Sequence, residues 1–291
     1  MTLSAPMRCS TLAEELGEPM IGTVDQRVRW ILVEDRSAWG TDAVKDVLGE
    51  DFAREAKARG VRPLLIRRRE GDPEADTVRR AILVDTASGE MAVRTIGHPS
   101  ELSIDALVDD PVTEFGATMT DPIFLVCTNG KRDACCALRG RALVTALAAE
   151  HAERTWECTH LGGHRFSGNL VCLPDGIVYG RVPAPDGPRL AGAYLEGRLD
   201  PALLRGRSAW PAPAQVAERE LRARLGIDGL ADLSLVSVKA DGDRATVAIA
   251  TRDGTQHHVE LSSDRLTPPR PTSCRADEVE EPLHWRVVGG A

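Results

Sequence analysis

The sequence predicts an α/β protein with two similar halves and a small C-terminal α+β module. Up to about residue 206, short apolar runs rich in β-branched residues alternate with segments of helical periodicity. The order strand, helix, strand, hairpin, helix occurs twice, and the matching strands are offset by 88 to 93 positions. From Trp210 the pattern changes to one amphipathic helix and then strands separated by turn residues. A chain of 291 residues is long enough for two domains and an appendage.

The first half follows an irregular segment of about 20 residues. A strand at Val28–Glu34 leads to a helix that Thr41 or Asp42 caps and Gly60 ends. The other predicted elements of this half are a strand at Val61–Arg68, a loop at Gly71–Asp76, hairpin strands at Ala81–Asp85 and Met91–Ile96, and a helix near Glu101–Val108.

The second half repeats this order around a helix at residues 136–150, where apolar residues recur at helical spacing. Because β-α-β-β-α is the order of a thioredoxin-like domain, we predict two tandem thioredoxin-like units, residues 1–115 and 116–206. A parallel strand pair crossed by a helix should be right-handed. The other predicted elements are strands at Ile123–Cys127 and around Trp156 and Cys158, a hairpin of Asn169–Leu173 and Gly176–Val182, and a helix near Asp200–Leu204.

The third predicted unit, residues 207–291, has no counterpart in the two halves. A Pro-rich linker precedes a helix that contains Val216 and ends at Gly226. Asp-Gly pairs supply the turns between the strands that follow. We predict a helix with a three-stranded meander and a Pro-rich tail, the strands being Leu233–Ala240, Ala245–Thr251 and His257–Ser263.

Composition excludes several kinds of partner. The formal net charge is −8 and no long basic run occurs, which argues against nucleic acid as the main partner. No apolar run approaches the roughly 20 residues that span a bilayer, so no membrane partner is expected. The first ten residues lack the apolar core of a secretory signal, which predicts a cytoplasmic location. An odd, clustered set of cysteines in a reducing compartment indicates a metal or redox site rather than disulfides.

Soft metal ligands are concentrated in one stretch. Cys127 ends a predicted strand, and Cys136 begins a helix that Asp133 can cap. The pair Gly162-Gly163 indicates a loop between two histidines. Two cysteines and two histidines beside one sheet edge suit tetrahedral zinc or an iron–sulfur cluster, and their spacing does not decide between these. Six candidate ligands fall within 38 positions: Cys127, Cys135, Cys136, Cys158, His160 and His164.

Two segments of this stretch resemble the sucrase/ferredoxin-like family, whose members are thioredoxin-like [2Fe-2S] ferredoxins. The segments are CTNGKRDACCALRG and THLGGHRFSGNLVCLPDGIVYGRV, and the similarity extends over roughly residues 9–205. In a bis-histidinyl branch of that family, His-x3-His replaces a second cysteine pair. The resemblance implies that Cys127 and Cys136 ligate one iron, and that His160 and His164 ligate the other. Cys135 is one residue out of the family spacing and competes with Cys136.

The resemblance implies an electron-transfer or redox-sensing protein rather than a stand-alone enzyme, and we assign no catalytic residue. Neutral imidazole ligands raise the reduction potential, as in Rieske centres. If their outer nitrogens reach solvent, reduction takes up a proton near neutral pH. The partner is an unidentified redox protein, and Lys131, Arg132 and Arg165 could dock an acidic one. No carboxylate pair in the sequence indicates glycosidase chemistry.

Two other functions compete with this interpretation. One is a metal-free thiol oxidoreductase that uses Cys135 and Cys136, although this pair lacks C-x-x-C spacing. The other is a binding protein with a structural zinc ion. Four cysteines are expected outside the site: Cys158 and Cys172 as core thiols, and Cys9 and Cys274, which are isolated in sequence.

Overall fold

Two β-sheets organise the computed structural model, which describes residues 8–68 and 79–290. One sheet is mixed and has ten strands, and the other is antiparallel and has four. The loop predicted at Gly71–Asp76 lies outside the described residues. The large sheet contains β1 (Arg29–Glu34), β2 (Val61–Arg67), β3 (Arg79–Asp85), β4 (Glu90–Ile96), β5 (Ala117–Thr118), β6 (Ile123–Cys127), β7 (Thr155–Cys158), β8 (Leu170–Leu173), β9 (Ile177–Tyr179) and β10 (Leu204–Arg207). The small sheet contains β11 (Leu233–Asp241), β12 (Arg244–Thr251), β13 (Gln256–Arg265) and β14 (Leu283–Gly290).

Eight α-helices connect or cover these strands in the described part of the chain. They are α1 (Cys9–Glu15), α2 (Ala43–Leu48), α3 (Glu50–Ala58), α4 (Ile104–Asp109), α5 (Val112–Phe115), α6 (Ala134–His151), α7 (Gly187–Leu195) and α8 (Ala212–Leu225). No described helix is long and apolar enough to cross a membrane.

The large sheet contains the same strand arrangement twice. In the first half, β1 pairs parallel with β2 and antiparallel with β3, and β4 and β5 follow outward. In the second half, β6 pairs parallel with β7 and antiparallel with β8, and β9 and β10 follow outward. The halves join where β2 pairs antiparallel with β7, through Ile66↔Cys158 and Arg67↔Glu157. The predicted α/β class and its repeated element order are therefore confirmed.

Strands of both halves are buried on both faces, which explains their continuous apolar runs. Alternate residues of β1 belong to different clusters: Leu32 packs with residues of both halves, whereas Ile31 and Val33 pack in the first half alone. A third cluster joins the second half to α8 and the small sheet. The core shared by the two halves also contains Cys127 and Cys136, so the sheet places the candidate site at its centre.

Three helical predictions need correction. The N-terminal segment, predicted to be irregular, contains α1, which begins at Cys9. The helix predicted to end at Gly60 is divided by Gly49, whose φ of 94° only glycine adopts readily. The helix predicted near Asp200–Leu204 is wrong, because Leu204 begins strand β10. The helix of this half is α7, which lies earlier and has a proline in its first turn.

The C-terminal module has one strand more than predicted. The helix α8 ends as predicted at Gly226, in the left-handed conformation (φ 66°). The three predicted strands form the meander β11–β12–β13. The tail then returns as β14, which pairs antiparallel with β13 from Val259↔Gly290 to Arg265↔Leu283. The predicted boundaries 115/116 and 206/207 stay a prediction.

Candidate metal centre

The two predicted cysteine ligands lie where β6 ends and α6 begins. Cys127 is the last residue of β6 and pairs in register with Cys158 of the parallel strand β7. Cys136 is in the first turn of α6, and both thiols are about 2% exposed. Asp133 caps the helix as predicted, because its Oδ1 accepts a hydrogen bond from the Cys135 N–H at 2.9 Å.

Gly140 allows α6 to lie directly against the end of β6. A Cβ at this position would overlap the carbonyl oxygen of Cys127, a backbone atom that cannot move aside. The glycine therefore sets the distance between the two thiol-bearing elements. Sequence reasoning missed this role, although a glycine inside a segment of strong helix formers often has a packing cause.

The two histidines lie on the loop after β7, as predicted. Gly162 (φ 81°) and Gly163 (φ 66°) adopt left-handed backbone conformations that reverse the chain. His164 then begins a short 3₁₀ turn that ends at Phe166. Because of this reversal, the rings of His160 and His164 stack with centroids 4.0 Å apart.

A buried arginine holds the histidine loop in place. Arg205, 2% exposed, donates from Nη1 to Oδ1 of Asn169 at 2.8 Å and from Nη2 to the carbonyl of Thr23 at 2.9 Å. Asn169 in turn donates to the carbonyl of Gly163 at 3.2 Å. Arg62 donates to the carbonyl of His160 at 3.2 Å. These residues were not predicted from sequence, because arginines on β2 and β10 carry no local sign of what they bind.

The four predicted ligands contact one another in a ring. The sulfur of Cys136 lies 3.3 Å from Nδ1 of His164. Cys127 lies next to the side chains of both Cys136 and His160, which affect the pKa of its thiol. The stacking of the two imidazoles, His160 on His164, completes this set of contacts. The structure therefore brings together Cys127, Cys136, His160 and His164, which are spread over 38 residues of sequence.

The electrostatics of this ring favour a thiolate at Cys127 and a neutral imidazole at His164 at neutral pH. A hydrogen bond from Cys136, helped by His160 and the Leu161 N–H, lowers the pKa of the Cys127 thiol. The Cys127 thiolate in turn raises the pKa of Cys136. Burial, reinforced by His160, lowers the pKa of His164 to about 3. A thiolate and a neutral imidazole are the forms that bind metal ions.

A second group of thiols lies beside the ring and was not predicted. The sulfur of Cys135 lies 3.7 Å from that of Cys9 and 3.3 Å from that of Cys274, and Cys274 lies 3.5 Å from Cys9. Oδ2 of Asp133 is 3.9 Å from the Cys9 sulfur. Among the described residues, these four form the one group whose ligand atoms all lie within 4.8 Å of one another. This Cys/Asp group could hold a metal ion.

The adjacent residues Cys135 and Cys136 therefore face different groups. Cys9 and Cys274 were expected to lie outside the site because they are isolated in sequence. The fold corrects this expectation, since it places both next to Cys135. A hydrogen bond from Cys9, supported by Ser10, lowers the pKa of Cys135 to about 5. The two predicted core thiols are confirmed as buried, since Cys158 and Cys172 are both 0% exposed.

The basic residues near the site are partly engaged within the protein. Arg165 donates to Glu18 at 2.7 Å, and Arg132 donates to Asp42 at 2.8 Å. His160 faces outward into a cleft of about 380 Å³. The charged residues that line this cleft are Asp25, Arg27, Asp42, Lys45, Lys57, Arg62 and Arg132.

The fold and the site define a mixed α/β protein with thiol- and imidazole-rich candidate metal sites. Residues 20–206 match the sucrase/ferredoxin-like family, and the chain belongs to that family. It is similar to "altered inheritance of mitochondria protein 32" of Meyerozyma guilliermondii, at 35% identity over 22% of this chain and 26% of the relative. The Candida glabrata protein of the same name is 24% identical over 40% of this chain and 36% of the relative. The chain thus matches about a quarter to a third of these relatives' length, and no solved structure gives a significant match.

Proposed function

We propose that the protein binds a [2Fe-2S] cluster through Cys127, Cys136, His160 and His164, and serves as an electron-transfer or redox-sensing protein. The observation that carries this proposal is the ring of two buried thiols, one buried imidazole and one half-buried imidazole at the end of β6. Membership of the sucrase/ferredoxin-like family supports it. The donor set also fits, because thiolate and imidazole both ligate iron–sulfur clusters.

The arrangement of the four donors favours a centre with two metals over a single zinc ion. A tetrahedral zinc site needs all four ligand atoms within about 4 Å of one another. Among the described residues, the neighbouring Cys/Asp group, and not these four residues, has ligand atoms that all lie within 4.8 Å of one another. A [2Fe-2S] cluster does not need all four ligands in one compact group, because each of its two irons takes its own ligands. We assign the cysteine pair to one metal and the histidine pair to the other.

The chemistry of the bound cluster would be one-electron transfer, at a potential that imidazole ligation raises above that of an all-cysteine cluster. The protein contributes burial, fixed ligand orientation and a hydrogen-bond donor. The Leu161 N–H donates to the Cys127 sulfur. Hydrogen bonds to cluster sulfurs tune the potential of such centres. Arg205 and Asn169 hold the histidine loop, so we expect them to keep both imidazoles in position.

His160 is the candidate ligand with access to solvent. It is half-buried, and it borders the cleft beside Arg62, whereas His164 is buried. We therefore propose that His160 exchanges a ring proton with solvent when the oxidation state of the centre changes. The midpoint potential should then fall as pH rises between about 6 and 9.

The same cleft is our candidate surface for the redox partner. Five basic residues and two acidic residues line it, which gives the rim a positive balance. A positive rim would steer an acidic partner toward His160. Electron transfer through this side should therefore slow as ionic strength rises.

The repeated strand arrangement supports one further part of the proposal, and the cysteines support another. We infer that residues 1–115 and 116–206 are tandem thioredoxin-like units, of which the second holds the cluster. We also infer a reducing compartment such as the cytoplasm, where the seven cysteines would stay unbridged, as they are in this structure.

Anaerobic purification of the full chain tests the proposal. We expect two irons and two sulfides per chain, with the charge-transfer absorption of an iron–sulfur cluster. The variant His164→Cys should keep the cluster and change its spectrum and midpoint potential. His258→Cys, on the exposed side of β13, is the matched control and should change neither.

Two results would contradict the proposal. One is a colourless protein that takes up no iron under anaerobic reconstitution. The other is a cluster whose spectrum is unchanged in His164→Cys. A potential that stays constant from about pH 6 to 9 would remove the proton-coupling part alone.

A further inference from the structure

The second thiol group joins three segments that are far apart in the chain. Cys9 begins α1, Asp133 and Cys135 lie at the start of α6, and Cys274 lies between β13 and β14. Cys9, Cys135 and Asp133 are at most 1% exposed, and Cys274 is exposed. The core of the large sheet does not account for this convergence, because none of the three cysteines belongs to its apolar clusters.

The spacing of the donor atoms matches one tetrahedral metal ion. With Zn–S bonds of about 2.3 Å, sulfurs at the corners of a tetrahedron lie about 3.8 Å apart. The three sulfur–sulfur distances here are 3.3, 3.5 and 3.7 Å. The carboxylate oxygen of Asp133 completes the set, 3.9 Å from the Cys9 sulfur. Three sulfurs and one oxygen, all within 4.8 Å, leave room for one ion at their centre.

We propose that Cys9, Asp133, Cys135 and Cys274 form a structural zinc site. Thiolate-rich tetrahedral sets select zinc among the abundant divalent ions, whereas magnesium and calcium prefer oxygen ligands. All four positions are filled by protein groups, as in structural rather than catalytic zinc sites. This proposal uses none of the four proposed iron ligands, so it stands whether or not a cluster binds there.

Outer hydrogen bonds orient the proposed ligands. Oδ2 of Asp133 accepts from the Cys274 N–H at 2.9 Å and from Ser273 Oγ at 3.0 Å. Ser10 Oγ donates to the Cys135 sulfur at 3.2 Å. Donors of this kind hold the ligands of metal sites in place.

The zinc would fasten two terminal segments over the candidate iron site. The helix α1 packs against the 3₁₀ turn that begins at His164. Cys9 would fix that helix to the start of α6, next to Cys136. Cys274 would fix the segment between β13 and β14 over the same place. The zinc would therefore hold both segments against the histidine loop. The cross-linked residues Cys9 and Cys274 are 265 positions apart in the chain.

Metal analysis of the full chain, purified anaerobically from zinc-supplemented cells, tests this proposal. We expect one zinc per chain, and zinc X-ray absorption should give three sulfur ligands and one oxygen ligand. The variants Cys274→Ala and Cys9→Ala should lower zinc affinity by about tenfold or more. Cys172→Ala, a thiol of the core outside both groups, is the matched control and should keep the zinc. Because Cys274 is exposed, its variant is expected to fold.

Hydrogen exchange gives a second readout. Chelation of zinc should raise the exchange of α1 and of residues 266–282 while the strands of the large sheet keep their protection. Three outcomes would overturn the proposal: wild-type protein without zinc, equal zinc affinity in Cys274→Ala and wild type, or a disulfide among the three cysteines in anaerobic protein. Iron is counted separately, so loss of iron with zinc retained would contradict only the proposed cluster.

Discussion

The ends of β1 and β6 occupy equivalent places in the two halves of the large sheet. Each strand lies between a parallel and an antiparallel neighbour, and each last residue pairs with the parallel strand, Glu34 with Ile66 and Cys127 with Cys158. A carboxyl end next to a parallel partner is where α/β sheets place functional residues. The fold therefore offers this position twice.

The two halves fill that position differently. Directly after the end of β1, Asp35 is 3% exposed and is satisfied by Arg79 at 2.9 Å and by the indole N–H of Trp39 at 3.2 Å. At the end of β6, Cys127 faces another thiol and an imidazole, which are groups that can bind metal ions. Strand pairing creates this position in the fold, whereas the side chains decide whether an ion pair occupies it or a metal could bind there.

Exchanging the key residue at each strand end tests this difference most directly. Cys127→Ser should lower bound iron by about tenfold or more, because a neutral hydroxyl is a poor iron ligand. Asp35→Asn should leave bound iron unchanged and lower the free energy of unfolding by about 1–3 kcal/mol, since it breaks a buried charged hydrogen bond. Iron analysis and urea unfolding measure the two effects. Iron loss in Asp35→Asn would show that both strand ends contribute to the centre.

The close approach of α6 to β6 gives the next largest effect. Gly140→Ala places a methyl group against the Cys127 carbonyl and should lower the free energy of unfolding by about 1–3 kcal/mol. It should also separate Cys127 from Cys136 and reduce iron retention. Urea unfolding and iron analysis of one preparation measure both.

Gly192→Ala is the matched control in α7, where an added Cβ meets no atom within 4 Å. It should stabilise the protein by about 0.5–1 kcal/mol, because alanine loses less conformational entropy than glycine in a helix. If both variants are equally stable, the close approach at Gly140 has no energetic importance.

Acid sensitivity of the metal-free protein is a separate expected effect. The pKa of His164 is about 3 in the fold because of burial, against 6.5 for an exposed imidazole. Between these pH values, His164 binds a proton in the unfolded chain but not in the folded protein. The contribution of this group to the free energy of unfolding is therefore fully present above about pH 6.5 and is lost as pH falls toward 3. The slope contributed by this group is at most about 1.4 kcal/mol per pH unit.

The measurement is urea unfolding at a series of pH values, for wild type and His164→Gln. The variant should lose the slope that His164 contributes, and His258→Gln should keep it. Equal slopes in wild type and His164→Gln would mean that the imidazole reaches solvent in the folded protein.

Much of this molecule follows from local patterns in the chain. The apolar run that ends at Cys127, the helix that Asp133 caps and the glycines between the histidines were each predicted, because strand, cap and turn preferences act over a few residues. The prediction failed for the segment around Leu204, where strand pairing overrode the local preference for a helix. Leu204 was assigned to a helix, yet the segment pairs with β9 as an edge strand.

Three features follow from the sequence alone: the class of the fold, the repeated strand order and the closeness of the two residues within each predicted ligand pair. The residues of each pair are separated by at most nine positions. Only the tertiary structure decided that Cys135 turns away from Cys136 to meet Cys9 and Cys274. No local preference links residues 126 and 139 positions apart. Their contact depends on how α1 and the segment before β14 pack on α6, and that packing is a property of the whole folded chain.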